Sequence, residues 1–318
     1  MHNKMSPIIS IIMGVYKEPL DWLRQSIDSI LNQSFTDYEF IIICDNPRYE
    51  EGMELLKKYA NSDRRIILLF NNENIGLTKS LNKGLEIARG KYIARMDADD
   101  ISKPERLTRQ YEYMESHPEI VVLGTRIKAF GKVTIWFKPN EYVKYTDEEL
   151  KAQMLFGNCI AHPTAMIRKS KLEDNNIWYD EDYKHSQDYR LWEQLMPYGN
   201  FAKLKQVLLL YRVSNQQITK KSSSSQKNLS RSISYRCQKK WLDSEGLHYS
   251  IDEIKTNPFR IIREVKKNYR IVKSKSFRAF VQFSYLNNPN SKSYILSFLK
   301  GDFLYMTFWN SIRYLLKH

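Results

Sequence analysis

Three carboxylates fall within four residues at Asp97-Ala98-Asp99-Asp100, directly after the alternating stretch Tyr92-Ile93-Ala94-Arg95-Met96. Side chains alternate along extended backbone, so Asp97 and Asp99 share one side and Ala98 takes the other. Like charges this close repel, and the pair needs a cation, hydrogen-bond donors or free water. A hard divalent cation with oxygen ligands suits it, above all Mg2+ or Mn2+ shared with a diphosphate. A solvated acidic turn capping a helix near Ser102-Lys103-Pro104-Glu105 fits the same residues. A fourth carboxylate stands apart. Asp188 falls in the first turn of the helix expected from Ser186 or Gln187. There it either complements the helix dipole, worth about 0.3–1 kcal/mol, or serves as a general base at a pocket rim.

The elements that must position these groups read as alternating strands and helices. Residues 7–16 form a continuous apolar run, as expected of a strand covered on both faces. Helix 21–33, strand 38–44, helix 53–60, strand 65–70 and helix 77–88 follow, with the turn Asn74-Ile75-Gly76 before the last and the acidic strand after it. Four such units with short connections predict an open α/β sheet. Ligands collect beyond the carboxyl ends of its strands. Those ends are Val15-Tyr16-Lys17-Glu18, Cys44-Asp45-Asn46, Asn71-Asn72 and the acidic turn, all polar. No glycine-rich phosphate loop follows any strand, so a bound diphosphate needs another anchor, which a metal on Asp99 supplies. Tyr16 could stack on a base and Asp45 accept a hydrogen bond from one, or both could be strand-end residues without a ligand. Downstream, the pattern predicts a helix over 105–117, a strand over 120–124, a loop or irregular hairpin over 136–147, a helix over 147–156 and a turn feeding a strand over 158–168.

A chain of 318 residues accommodates one large domain plus an appendage, or two domains. Three cysteines without CxxC spacing argue against a disulfide framework or zinc site and fit a reducing compartment. The first residues lack a signal-peptide pattern, and no apolar run is long enough to span a membrane. The net charge of +14 is unevenly placed. Residues 220–318 hold 20 Lys and Arg against 6 Asp and Glu, leaving 30 of each sign in the rest. A boundary near Lys220 follows, with the serines at 222–225 as a flexible link. Beyond it, basic helices carry Trp241, Phe259, Tyr269, Phe277, Phe280, Phe283 and Tyr285, and an apolar segment covers 294–316. This tail fits an anionic bilayer surface, nucleic acid, or ordinary helical core packed on the body or on a second subunit.

Taken together, Val15-Tyr16-Lys17-Glu18, Asp45, Asn74-Ile75-Gly76-Leu77, Met96 to Asp100, His162-Pro163-Thr164, Gln187 to Trp192 and Leu210-Tyr211-Arg212 resemble a family 2 glycosyltransferase. The motifs stand in that family's order across residues 6–219. The resemblance implies a GT-A domain, a Rossmann-like open α/β sheet, over 1–219 and a basic helical region over 220–318. It implies Tyr16 and Glu18 beside the donor nucleotide, Asp45 on the base, usually uracil, and Lys79 near the nucleotide. Asp97 would reach the ribose, Asp99 would ligate Mn2+ or Mg2+, and Asp188 would be the catalytic base. His162 and Arg212 are further candidates for substrate contact, with a buried, hydrogen-bonded histidine the alternative for His162. Two positions depart from the pattern: Gln187 replaces a frequent Glu, and Ser214 a frequent His.

The implied activity is inverting transfer of glucose or galactose from a UDP-sugar. The implied acceptor is an undecaprenyl-diphosphate-linked sugar such as N-acetylglucosamine, in O-antigen or capsule assembly. The expected location is the cytoplasmic face of the plasma membrane, held through anionic lipid, with no nucleic acid partner and a homo-oligomer as an option. The alternative is a non-catalytic α/β protein binding nucleotides or nucleic acid.

Overall fold

The computed structural model describes residues 6–131, 145–214, 223–267, 271 and 273–286. Most of the expected 136–147 loop and the apolar 294–316 segment lie outside them, as do Tyr269 and the side chains of Phe283 and Tyr285. The chain divides into two compact units. One comprises 1–141 with 160–226, the other 142–159 with 227–318.

The first unit opens with β1 (Ile9–Val15), α1 (Leu20–Leu31), β2 (Tyr38–Cys44), α2 (Glu50–Ser62), β3 (Ile66–Phe70), α3 (Leu77–Ile87) and β4 (Tyr92–Asp97). Every residue of β2 and all but one of β1 are buried, because parallel strands with helices packed against them have no solvent face. Helix α3 approaches β1 and β2 closely at Gly84, where a Cβ would lie 2.7 Å from Ile12 Cγ2. The unit continues with β5 (Ile101–Ser102), α4 (Arg106–Ser116) and β6 (Ile120–Gly131). After a 3-10 turn at His162–Thr164 come β7 (Met166–Arg168) and a short helix at Lys169–Glu173. A helix at Gln187–Leu195 (αB below, since it bears the expected base) and β8 (Asn200–Val213) complete it.

The eight strands run in the order β3-β2-β1-β4-β7-β6-β8-β5. β1 pairs in parallel with both β2 and β4, so the winding reverses between β1 and β4. Gly14 lies opposite Asp97 and Val15 opposite Cys44, which brings the polar ends of the three central strands to one edge. This is the switch point at which open α/β sheets bind ligands.

The far side of the sheet departs from the expected elements. Residues 101–102 are not a helix start but a strand, with Ile101 opposite Leu210 and Ser102 opposite Leu209. β4 and β5 are separated in the sheet by β7, β6 and β8. In a flat sheet they would stand about 19 Å apart, at about 4.8 Å per spacing. Four residue steps span only about 14 Å. The sheet therefore curls, and its far edge returns to the acidic turn.

The second unit is helical. It contains Asp147–Met154 (αC), all but the first four residues of Ser223–Ser244 (αD), Ile251–Thr256, Pro258–Val265 (αE) and Lys275–Leu286 (αF). The serines from 223 onward open αD rather than forming a link, in keeping with the preference of serine for helix starts. Helix αC was expected in the catalytic domain, but it groups with the C-terminal helices. Its buried Leu150, Ala152 and Met154 need an apolar partner, Glu149 pairs with Lys275 Nζ at 2.8 Å, and Leu155 O accepts from Gln238 Nε2 at 2.9 Å. Of the aromatic tail residues in view, Phe259 is half-buried and the other three are core. Trp241, Phe277 and Phe280 are buried, and the Trp241 and Phe280 rings lie 5.7 Å apart. Charge faces outward instead, at Arg260, Arg263, Lys266, Lys267 and Arg278. Among the described residues no helix is long and apolar enough to cross a membrane.

Candidate active site

The acidic turn at the end of β4 forms the centre. Asp97, Asp99 and Asp100 each bring a carboxylate oxygen within 4.8 Å of the others. Ser26 of α1 donates to Asp97 O at 2.8 Å, and Arg95 Nη2 lies 2.7 Å from Asp97 Oδ1. Asp100 is fully buried. Its Oδ1 accepts from Arg212 N at 2.8 Å, while its Oδ2 has no partner. Arg212 braces the turn from β8. It donates from Nε to Asp99 O at 2.6 Å and from Nη2 to Gln25 Oε1 at 2.7 Å, between the rings of Trp22 and Phe130.

The electrostatics are those of a site short of positive charge. Burial, then the charges of Asp97 and Glu18, push the Asp99 carboxyl up to about 7. Burial, then Asp97 and Asp99, hold Asp100 well above the carboxylate range. Burial is also the first cause for Glu18, which is raised despite a 2.8 Å hydrogen bond from Tyr16 N. Hard oxygen donors, mutual repulsion and a buried carboxylate oxygen without a partner fit a divalent cation.

The residues expected near the nucleotide gather at the same edge. Tyr16 is exposed beyond β1. Lys79, in the first turn of α3, lies 3.7 Å from Glu181, both half-exposed. Asp45 is buried and already engaged. Its Oδ1 accepts from Asn71 Nδ2 at 2.8 Å and Ile75 N at 2.9 Å, and its Oδ2 from Gly76 N at 2.8 Å. It thereby shapes the turn in which Gly76 takes a φ of 89° that favours glycine. Asp45→Ala is expected to cost about 1–3 kcal/mol by orphaning these donors, and to weaken UDP binding. Melting and calorimetry on one variant check this. A lower Tm with parent UDP affinity would confine Asp45 to the turn.

Asp188 stands at the second position of αB, half-buried, its Oδ1 accepting from Tyr189 N at 2.8 Å. The Tyr211 phenol reports its company. Burial and the charges of Asp97, Asp100, Asp99 and Asp188 all push that phenol far up, so each of the four carboxylates acts on Tyr211. His162 is not at the surface of this site. It is 7 % exposed, its Nε2 is 2.8 Å from Tyr179 OH, and its ring meets Tyr179 and Trp192 edge-on. Burial and then the Arg95 cation hold it well below the usual histidine range, so it is neutral. That is the geometry of the buried, hydrogen-bonded alternative. Arg212 is likewise buried and acts as a brace. Ser214, at the position of the frequent His, is buried too. Sequence reasoning missed Arg95, whose two-residue spacing from Asp97 was the available signal. It also missed Asp100 as a buried member of the cluster and Gln25, for which no sequence signal existed.

A curled eight-stranded α/β sheet with this acidic turn at its switch point is a GT-A-type fold, and solved glycosyltransferases share it. S. aureus TarS, crystallised with UDP-GlcNAc, superposes with a TM-score of 0.62 at 14% identity, covering 94% of this chain and 93% of that one. The Pyrobaculum calidifontis mannosyltransferase PcManGT, in complex with GDP-Man and Mn2+, gives 0.55 at 13% identity, covering 98% and 86%. The glycosyl transferase family 2 model matches residues 10–175, slightly over half of the chain, and the chain belongs to that family. The O-antigen biosynthesis glycosyltransferase WbnJ of Escherichia coli is 32% identical over 223 residues, covering 69% of this chain and 85% of that protein. Membership decides for a glycosyltransferase over a non-catalytic binding module.

Proposed function

We propose that the chain is an inverting, divalent-metal-dependent transferase. It moves glucose or galactose from a UDP-sugar to a lipid-diphosphate-linked saccharide, such as undecaprenyl-diphosphate-linked N-acetylglucosamine, in O-antigen or capsule assembly. The observation that carries it is the acidic cluster at the β1/β4 switch point, with Asp188 acting on the same Tyr211 phenol as the cluster. Asp99, flanked by Asp97 and Asp100, would hold Mn2+ or Mg2+, whose Lewis acidity stabilises the departing diphosphate. Tyr16 stacks on the base, Asp45 accepts from it with its remaining lone pair, Lys79 attracts the phosphates and Asp97 reaches the ribose. Asp188 takes the proton of the attacking acceptor hydroxyl, a contribution of roughly 10²–10⁴ in rate. Attack from the face opposite the leaving group inverts the anomeric centre. The named relative in O-antigen biosynthesis and the nucleotide-sugar complexes of the structural neighbours support this reading.

UDP with Mn2+ should raise the melting temperature, GDP with Mn2+ less so and single-stranded RNA not at all. A panel of UDP-sugars with a synthetic lipid-diphosphate acceptor then fixes the donor. No shift with any nucleoside diphosphate plus Mn2+ would sink the reading, and a larger shift with GDP would move the base from uracil to guanine.

A lipid-linked acceptor places the enzyme at the cytoplasmic face of a membrane. The outward Arg260 and Arg263 of αE, Lys266 and Lys267 just after it, and Arg278 of αF supply the attraction, each contributing about 1 kcal/mol near anionic lipid. Binding to phosphatidylserine-containing vesicles is therefore expected to fall with salt, since screening acts over about 10 Å at 0.1 M. Binding indifferent to salt and lipid charge would leave these helices a packing role.

A further inference from the structure

Arg95 is paired with Asp97 but has no role of its own in the proposed reaction. It is 2 % exposed in the middle of β4, and a guanidinium so deeply buried requires compensating partners. Its Nη2 lies 2.7 Å from Asp97 Oδ1 and its Nη1 donates to Ile12 O at 3.0 Å, while Nε has no partner. Its backbone is tied on both sides. The N–H donates to Ala165 O at 2.9 Å, and the carbonyl accepts from Arg106 Nη2 at 2.7 Å. Arg106 is itself fully buried and held by Gln110 Oε1 at 3.0 Å. The neighbouring His162 is neutral and brings no competing charge. Asp97 differs in one respect: its side chain is 30 % exposed at the open end of the strand. Residues two apart on a strand share a face, so a fixed cation in the core meets a carboxylate that reaches the cleft.

We infer that Arg95 is a positioning residue for donor binding. It fixes Asp97 Oδ1 from inside the core and leaves Oδ2 for the donor. This rests on the reading of Asp97 as a donor contact. The competing role is plain core filling, in which Arg95 affects stability and nothing else.

The test is a cycle on the full chain with Asp97→Asn, Arg95→Met, the double variant and Arg95→Lys. UDP plus Mn2+ affinity is read by calorimetry, donor KM and kcat by transfer assay, and Tm by melting. Asp97→Asn and Arg95→Met should each weaken UDP binding about tenfold, and the double variant no more than Asp97→Asn alone, because Arg95 acts through that carboxylate. Arg95→Lys keeps the charge without the planar fork, so part of the affinity returns and the donor KM rises more than kcat falls. A folded Arg95→Met with parent affinity, or a double loss equal to the product of the single ones, overturns the role of Arg95. If Arg95→Met does not fold, a parent donor KM in Arg95→Lys overturns it. Parent affinity in Asp97→Asn would overturn the donor reading of Asp97 instead, and the inference with it.

Discussion

Asp99→Asn is expected to abolish transfer and the Mn2+-dependent part of UDP binding while the protein melts at or above the parent temperature in EDTA. The loss follows from chemistry: an amide oxygen is a weak ligand for a hard divalent cation, and a departing diphosphate without counter-charge is a poor leaving group. The stability follows from the crowding. Burial and the charges of Asp97 and Glu18 raise the Asp99 carboxyl to about 7 from its ordinary 3.8. A carboxylate raised in the folded state favours folding when protonated. That contribution is complete below the ordinary value and disappears as pH climbs through about 7. Above that pH the metal-free parent bears a repulsive charge that the asparagine variant lacks. Retained transfer, or full parent activity in EDTA, would remove Asp99 from the reaction.

Asp188→Asn should leave UDP and Mn2+ affinity near the parent values and lower the transfer rate by ~10² or more. Asparagine keeps an oxygen that can accept from Tyr189 N, so the start of αB is preserved. What goes is the ability to take a proton from the acceptor hydroxyl in the transition state. If Asp188 only complements the helix dipole, the change costs under ~1 kcal/mol of stability and turnover persists. A rate within a few-fold of the parent would retire it as the base. The structure then narrows the substitutes. Asp180 is tied to Arg190 Nε at 2.9 Å and accepts from Asp182 N at 3.2 Å, whereas Asp182 is exposed and would be tested first.

The nucleotide half of this architecture was legible because its physics is local. Apolar runs such as those of β1 and β2 announce strands covered on both faces, and polar residues at their ends mark the ligand edge. The other half is not local. Along β8, Lys203, Leu204, Lys205 and Gln206 all retain exposure, and its pairing with β6 carries register shifts around Arg126, so no clean alternation signals a strand. Without β8 nothing indicates that Ile101-Ser102 is a strand or that Arg212 closes on Asp99 and Asp100. The tail misled for another reason. Composition shows that aromatics and basic residues are interleaved, but only packing shows that Trp241 and Phe280 face each other while Arg263 and Lys267 face out.

The return of the sheet's far edge to the acidic turn has a bearing on biosynthesis. Arg212 meets Asp100 across 112 positions of sequence. So distant a closure carries a chain-entropy cost before it yields any contact, and such contacts form late. On a ribosome the β1–β4 half can pair as soon as it emerges, whereas the brace on the acidic turn must wait for a strand ending at Val213. The brace on the acidic turn therefore cannot form on a nascent chain until most of the first unit has left the ribosome.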